Sequence, residues 1–433
     1  MSARTPRLVC ALIALGLPAY AVATGDGARE EFLSRSQAET QAIQGDTAHR
    51  AAVMRAEAAR HDSIAAAQLP NPRLAVGLLN LPVDSFDFDQ EPMTQLRLGL
   101  RQTFPRGDTL KLRGRGAGLR AGGAQYSAAL RQREVRREAA TAWLGAFLAQ
   151  QQLGILRENR DLFVQLQQIT TSLYAVGRKN QQDVLRADLE LARLEQRMAE
   201  AREKAAVARA RLGRWIGAAV AQRTLSAAGS LPDRLPEAAL RQGLARHPLL
   251  GEAITGAALA QNAADLVRQE YEPQWGVELA YGYRDDASGM QRADFVSAVV
   301  SVDLPLFSTR ATDARLAAAR ANRSAAQETL ADRHRVLQGM LDTAFAQWRE
   351  RGVQLDLYSQ QLLPTAQSQR AAALGAYQSD VSDFGSLVQA QTSLLNLQLQ
   401  SVQMDVAQRL ALVELRYLAD DELLAELETG DPQ

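Results

Sequence analysis

The chain is almost without cysteine: the only one in 433 residues is Cys10. It lies inside an N-terminal apolar run, so no disulfide framework or thiolate metal site can be built from the rest. Histidine is scarce too. His49, His61, His247 and His334 are scattered, with no i, i+4 pair, which excludes the usual helical transition-metal site. Net charge is missing: 49 basic residues balance 49 acidic ones, and bulk attraction to nucleic acid or an anionic membrane surface is excluded. The one lopsided stretch, Arg101 to Arg137, reads as a solvated helix face. Beyond the N-terminus no apolar run reaches the ~18 residues of a membrane helix, so entry into a bilayer would have to be by strands. No P-loop, Gly-x-Ser-x-Gly elbow or Cys/His nucleophile pair is present. The composition therefore speaks against an enzyme and calls for no cofactor. Proline is absent from Pro105 to Pro232, which leaves room for very long helices.

The N-terminus carries Arg4 and Arg7, an apolar run, and Ala21 and Ala23 in A-x-A spacing, the pattern of a secretory signal peptide at 1–23. With Thr24 as first mature residue, that site offers no lipid anchor. Four segments then alternate with period two. Leu96, Leu98, Leu100 and Phe104 share one face against Gln95, Arg97 and Arg101, and Trp275, Val277, Leu279, Tyr281 and Tyr283 repeat the pattern. Val296 to Leu304 forms a fourth strand and "RLAVGLLN" from Arg73 a weaker first one. Their lengths suit tilted membrane strands of ~9–11 residues.

The strands form two matching hairpins. "NPRLAV" at Asn71 parallels "EPQWGV" at Glu272, and Phe104-Pro105 parallels Leu304-Pro305, an internal duplication of about 200 residues. The helical parts repeat as well. A 3-4 apolar spacing from Val184 to Trp215 recurs, shifted by 203, from Leu387 to Leu418, and such a seam implies left-handed supercoiling. The plan is a first repeat (24–217) with helix 30–68, hairpin 72–104 and helical hairpin 108–217, then a linker (218–235). A second repeat (236–419) follows with helix 236–270, hairpin 273–304 and helical hairpin 309–419, and a tail (420–433). Pro364 predicts a kink in the second outgoing helix. Four strands cannot close a barrel, and an open sheet in lipid strands its edge amides. Closure by cyclic symmetry, with three copies giving twelve strands and twelve long helices, is the expected solution.

This arrangement resembles the TolC family of outer-membrane efflux proteins. The resemblance rests on the paired strand ends, on "YAVGRKNQQDVLRAD" with its partner "YQSDVSDFGSLVQAQ", and on "LLPTAQ" at Leu362. "LPNPRLAVG" and "EPMTQLRLGLRQTFPRG" resemble the heavy-metal branch associated with CzcC and CusC. The resemblance implies a mainly α protein with membrane β. A homotrimer would combine an α-barrel of long helical hairpins with a twelve-stranded transmembrane β-barrel. It implies a passive exit duct in the outer membrane of a Gram-negative bacterium, extending into the periplasm. The duct would be fed by a periplasmic adaptor and an inner-membrane pump of the RND type. A type I secretion duct is the alternative within the class, and a periplasmic coiled-coil adaptor or scaffold lies outside it. By resemblance, Asp380, Asp383 and Asp183 are candidates for the pore aperture. Tyr174, Gly177, Arg178, Lys179, Tyr377 and Ser379 are candidates for adaptor contact. Each has a plainer reading: Asp380, Asp383 and Asp183 as turn or cap residues, Gly177 as a required turn. Asp84, Asp87, Asp89 and Glu91 read as a solvated external loop, not a metal site.

Overall fold

A computed structural model of the chain describes residues 32–286, 291–306 and 309–419. The signal peptide and the tail expected from the sequence lie outside the described residues. The order is α1 (Arg35–Gly45), α2 (Thr47–Ala66), β1 (Arg73–Leu79), β2 (Gln95–Phe104), α3 (Thr109–Ala175) and α4 (Gln181–Ile216). After the linker come α5 (Glu237–Leu244), α6 (Pro248–Arg268), β3 (Gln274–Tyr283), β4 (Phe295–Asp303), α7 (Thr309–Leu357), α8 (Leu363–Gln378) and α9 (Phe384–Leu418).

The long helices form where proline is missing. The 67 residues of α3 span about 100 Å at ~1.5 Å each. Only four residues separate it from β2. Gly107 makes this bend possible: its φ is +42°, and an added Cβ would lie 2.3 Å from Oε1 of Gln269, the atom that accepts the Asp108 amide at 2.9 Å.

Two expected helices are broken, and the cause is local in each case. The helix expected over 30–68 divides at Asp46. This residue has an extended backbone, accepts the amide of His49 at 2.5 Å and is held by Arg131 at 2.8 Å. The helix expected over 236–270 divides before Pro248, which lacks an amide hydrogen and opens α6, with His247 as its cap. At Pro364 the chain stays helical, but the α-ladder is replaced over Tyr358–Leu362 by a π-helical stretch. That accommodates a residue unable to donate to the preceding turn.

The core runs along the bundle. All twenty positions of the two predicted seams are buried or half-buried. Near the middle, Trp143 stacks on Phe147 at 5.3 Å and donates its indole N–H to the Leu33 carbonyl at 3.0 Å. Leu33 forms a parallel bridge with Leu225 of the linker, which ties the N-terminal segment to the junction of the repeats. Leu240, Leu337, Leu341, Leu412 and Leu415 form the second repeat's core. Leu166, Tyr377, Phe384 and Leu387 close the bundle at the end remote from the strands.

The strands form one antiparallel sheet in the order β1-β2-β3-β4. Its register aligns the apolar rows: Val76 faces Leu98, Leu98 faces Tyr281 and Tyr281 faces Val296, with Leu74–Leu100–Leu279–Ala298 as the next row. This face has no protein against it. Leu74, Val76 and Val296 are 67, 68 and 73% exposed. An uncovered apolar patch of this extent marks a surface made to be covered, by a partner or by a membrane.

Candidate functional site: the helical tips and the membrane sheet

The two helical hairpins end in turns built alike. In the first, Gly177 takes φ +71°. Its amide donates to the Tyr174 carbonyl and that of Arg178 to the Leu173 carbonyl, both at 2.9 Å. This is a helix-ending left-handed turn. Asn180 then caps α4 by accepting the Asp183 amide at 3.0 Å. Shifted by 203, Asp380 takes φ +68°, the Val381 amide donates to the Ala376 carbonyl at 2.9 Å, and Asp383 caps α9 by accepting the Ser386 amide at 3.1 Å. Asp380 thus stands where the first repeat has glycine. An aspartate tolerates the left-handed region better than most side chains.

Lys179 joins the two tips. Its ammonium bonds the Asp380 carboxylate and lies 4.6 Å from the centre of the Tyr377 ring. The hydrogen bond to Asp380 raises the lysine's pKa and lowers the aspartate's. The hydroxyl and amide of Ser386 hold Asp383 below the usual carboxylate value.

Of the candidate aperture residues, Asp380 and Asp383 are exposed at the second tip. Asp183 is only 8% exposed and sits in the first turn of α4, where Asn180, not Asp183, is the cap. Tyr174, Gly177, Arg178 and Ser379 are exposed. Tyr377 corrects the expectation of a contact surface. It is fully buried, edge-on to Phe384 at 5.5 Å with its hydroxyl 3.4 Å from Thr170, so it supports the tip from within. Sequence reasoning passed over Asn180, Thr170 and Phe384. The shift of 203 that pairs Asn180 with Asp383 was the available signal for the first.

At the other end, the face of the sheet opposite the apolar one is mixed: Arg97, Arg101, Glu278, glycines and serines share it with Leu79, Phe295 and Val299. Arg97 and Glu278 form an ion pair at 2.6 Å. The acidic β1–β2 loop is organised by itself: Asp84 accepts the Ser85 amide at 3.0 Å and Asp87 the Asp89 amide at 3.1 Å. Among the described residues no group of three or more His, Cys, Asp or Glu could hold a metal ion, and no helix is long and apolar enough to cross a membrane.

The chain thus joins an apolar-faced sheet directly to helical hairpins about 100 Å long. Residues 239–419 match the outer membrane efflux protein family. The fold is similar to that of the outer-membrane channel OprN, with 19% identity, 89% of each chain covered and a TM-score of 0.74. It is similar to CusC, a protein described by its folding and transmembrane channel formation, at 17% identity, over 89% of this chain and 92% of that one, with a TM-score of 0.74. The outer membrane channel CmeC of Campylobacter jejuni is 12% identical over 92% of this chain and 87% of its own, with a TM-score of 0.73. No curated protein matches the sequence. The second repeat carries the family's sequence signature and the whole described chain its fold. The expected resemblance to TolC-type outer membrane efflux proteins is met by the family match over residues 239–419 and by the shared fold.

Proposed function

We propose that three copies of this chain close a twelve-stranded barrel and a twelve-helix tunnel. The trimer would be the passive exit duct of a tripartite efflux pump. The observation that carries the reading is the sheet, with one apolar face uncovered and two open edges, β1 and β4. In lipid those edges would leave several kcal/mol per unpaired group, and pairing β4 of one copy with β1 of the next removes both. The duplication supports a specific register. Carried over from the β2–β3 pairing, it sets Val302 of one copy opposite Val76 of the next, extends the apolar row, and brings Asp303 diagonal to Arg73. The test is a disulfide formed by Val76→Cys with Val302→Cys. The double variant should give covalent trimers in membranes while neither single variant cross-links. Uniformly monomeric double variant would sink the register, and a soluble monomer would return the scaffold reading.

The tips support contact with a periplasmic adaptor through Tyr174, Arg178, Lys179 and Ser379, and Asp380 and Asp383 would ring the aperture. The chemistry is conduction alone, with cargo delivered by an inner-membrane pump of the RND type. The resemblance of "LPNPRLAVG" and "EPMTQLRLGLRQTFPRG" to the heavy-metal branch is what supports a metal cargo. A deletion strain separates the cargo readings: lost metal tolerance would support that branch, and lost polypeptide export a type I secretion duct.

A further inference from the structure

We infer that the barrel of this channel favours anions at its foot, where the helical tunnel enters it, through a ring formed by Arg101. The inference rests on the trimeric barrel proposed above, in which the apolar face meets lipid and the opposite face lines the lumen. On that inner face the described strand residues include three arginines, Arg73, Arg97 and Arg101, against two acids, Glu278 and Asp303. Arg97 is neutralised by Glu278 at 2.6 Å. Arg73, at the foot of edge strand β1, meets Asp303 of the neighbouring copy in the register set by the duplication. Arg101 is left over. It faces Arg73 on one side and Glu278 on the other, and Glu278 already bonds Arg97.

The rest of the inner face gives these guanidiniums reach. Gly77, Gly99, Gly276, Gly282, Ser297 and Ser301 are among their neighbours, so the arginines are the longest side chains of that wall; the Arg101 guanidinium lies over Gly276, with nothing taller around it to screen it from the lumen. Twelve strands ~4.8 Å apart and tilted ~40° enclose a backbone radius of about 12 Å. The Debye length at physiological salt is ~8 Å. Guanidiniums lying on such a wall are therefore within about one Debye length of much of the lumen and act on ions passing through it, as charged rings do in anion-selective pores. Anionic cargo meets an attractive ring where the tunnel enters the barrel, and a free metal cation meets a barrier there. The inference thus favours anionic substrates over the cationic metals of the heavy-metal branch.

The test is the reversal potential of single channels in a KCl gradient, for the full-length protein and for Arg101→Gln, Arg101→Glu and Arg101→Lys. Each is also examined with Lys179→Ala, so that the tips do not dominate the reading. Inositol hexakisphosphate added on the extracellular side serves as a polyanionic blocker. Chloride preference should fall about threefold or more in Arg101→Gln, reverse in Arg101→Glu and persist in Arg101→Lys, with block by the polyanion lost in the first two. Conducting channels whose selectivity and block ignore Arg101 would overturn the inference and leave the duct reading intact. Correctly inserted protein with no conductance would remove the duct reading and this inference together.

Discussion

Acid should loosen the chain where α6 begins, and His247 is the reason. Its imidazole is fully buried and its Nδ1 accepts the Leu249 amide at 3.2 Å, which caps the helix only while that nitrogen is unprotonated. Burial, with Arg133 and Arg137 nearby, lowers its pKa from 6.5 to about 4. The folded state therefore resists a proton that the unfolded chain takes up near pH 6.5. Stability is complete above that value, declines as pH falls from 6.5 towards 4, and the loss levels off below. At ~1.36 kcal/mol per pH unit, the decline comes to about 3 kcal/mol per copy. His247→Asn isolates the effect, because asparagine is also a good helix cap but does not titrate. Denaturant unfolding in mild detergent at pH 7.5, 5.5 and 4 should show the unmodified chain losing this much more than the variant. Parallel decline of the two would refute the assignment, since the carboxylates that also titrate there are common to both.

Other consequences can be checked as directly. Lys179→Ala removes the bond between the tips, and single-channel conductance should rise, whereas Lys179→Arg should leave it near its original value. Trp143→Ala empties a fully buried site and frees the Leu33 carbonyl; a loss of about 3–5 kcal/mol is expected in denaturant unfolding. Leu98→Arg puts a charge on the lipid face at a cost of about 2–4 kcal/mol. It should sharply lower the yield of membrane-inserted trimer, while Ser297→Arg on the inner face of the same sheet should insert normally.

Much of the architecture could be read from the sequence because its periods are clean. The alternation of Leu96, Leu98 and Leu100 and the 3-4 seam from Val184 each point one way only, and the outer ends of the first strand hairpin (73–104) and helical hairpin (109–216) fall within a residue of the expected 72–104 and 108–217. The breaks at Asp46 and Pro248 were harder. An apolar pattern continues through both, and what ends the helix is a single cap, in one case fixed by Arg131 from another helix. Tertiary context also separates Tyr174 from Tyr377. The two occupy matching places in the repeat, yet one is 46% exposed and the other fully buried. No local pattern distinguishes them, because Phe384 and Thr170, which bury Tyr377, come from other elements. Asp380 is intermediate: its left-handed backbone is not evident alone, but becomes so once it is aligned with Gly177.

The pairing of β2 with β3 has a consequence for biogenesis. Arg97 and Glu278 meet across this pair although 181 residues separate them in the chain, and contacts so distant form late. A first repeat synthesised ahead of the second can build its helical hairpin but not its share of the four-stranded sheet. Until the second repeat arrives, β1 and β2 present an apolar ribbon to water, the kind of surface that invites aggregation. On the proposed reading the strands must stay covered until the second repeat arrives, and barrel closure becomes the last step of assembly.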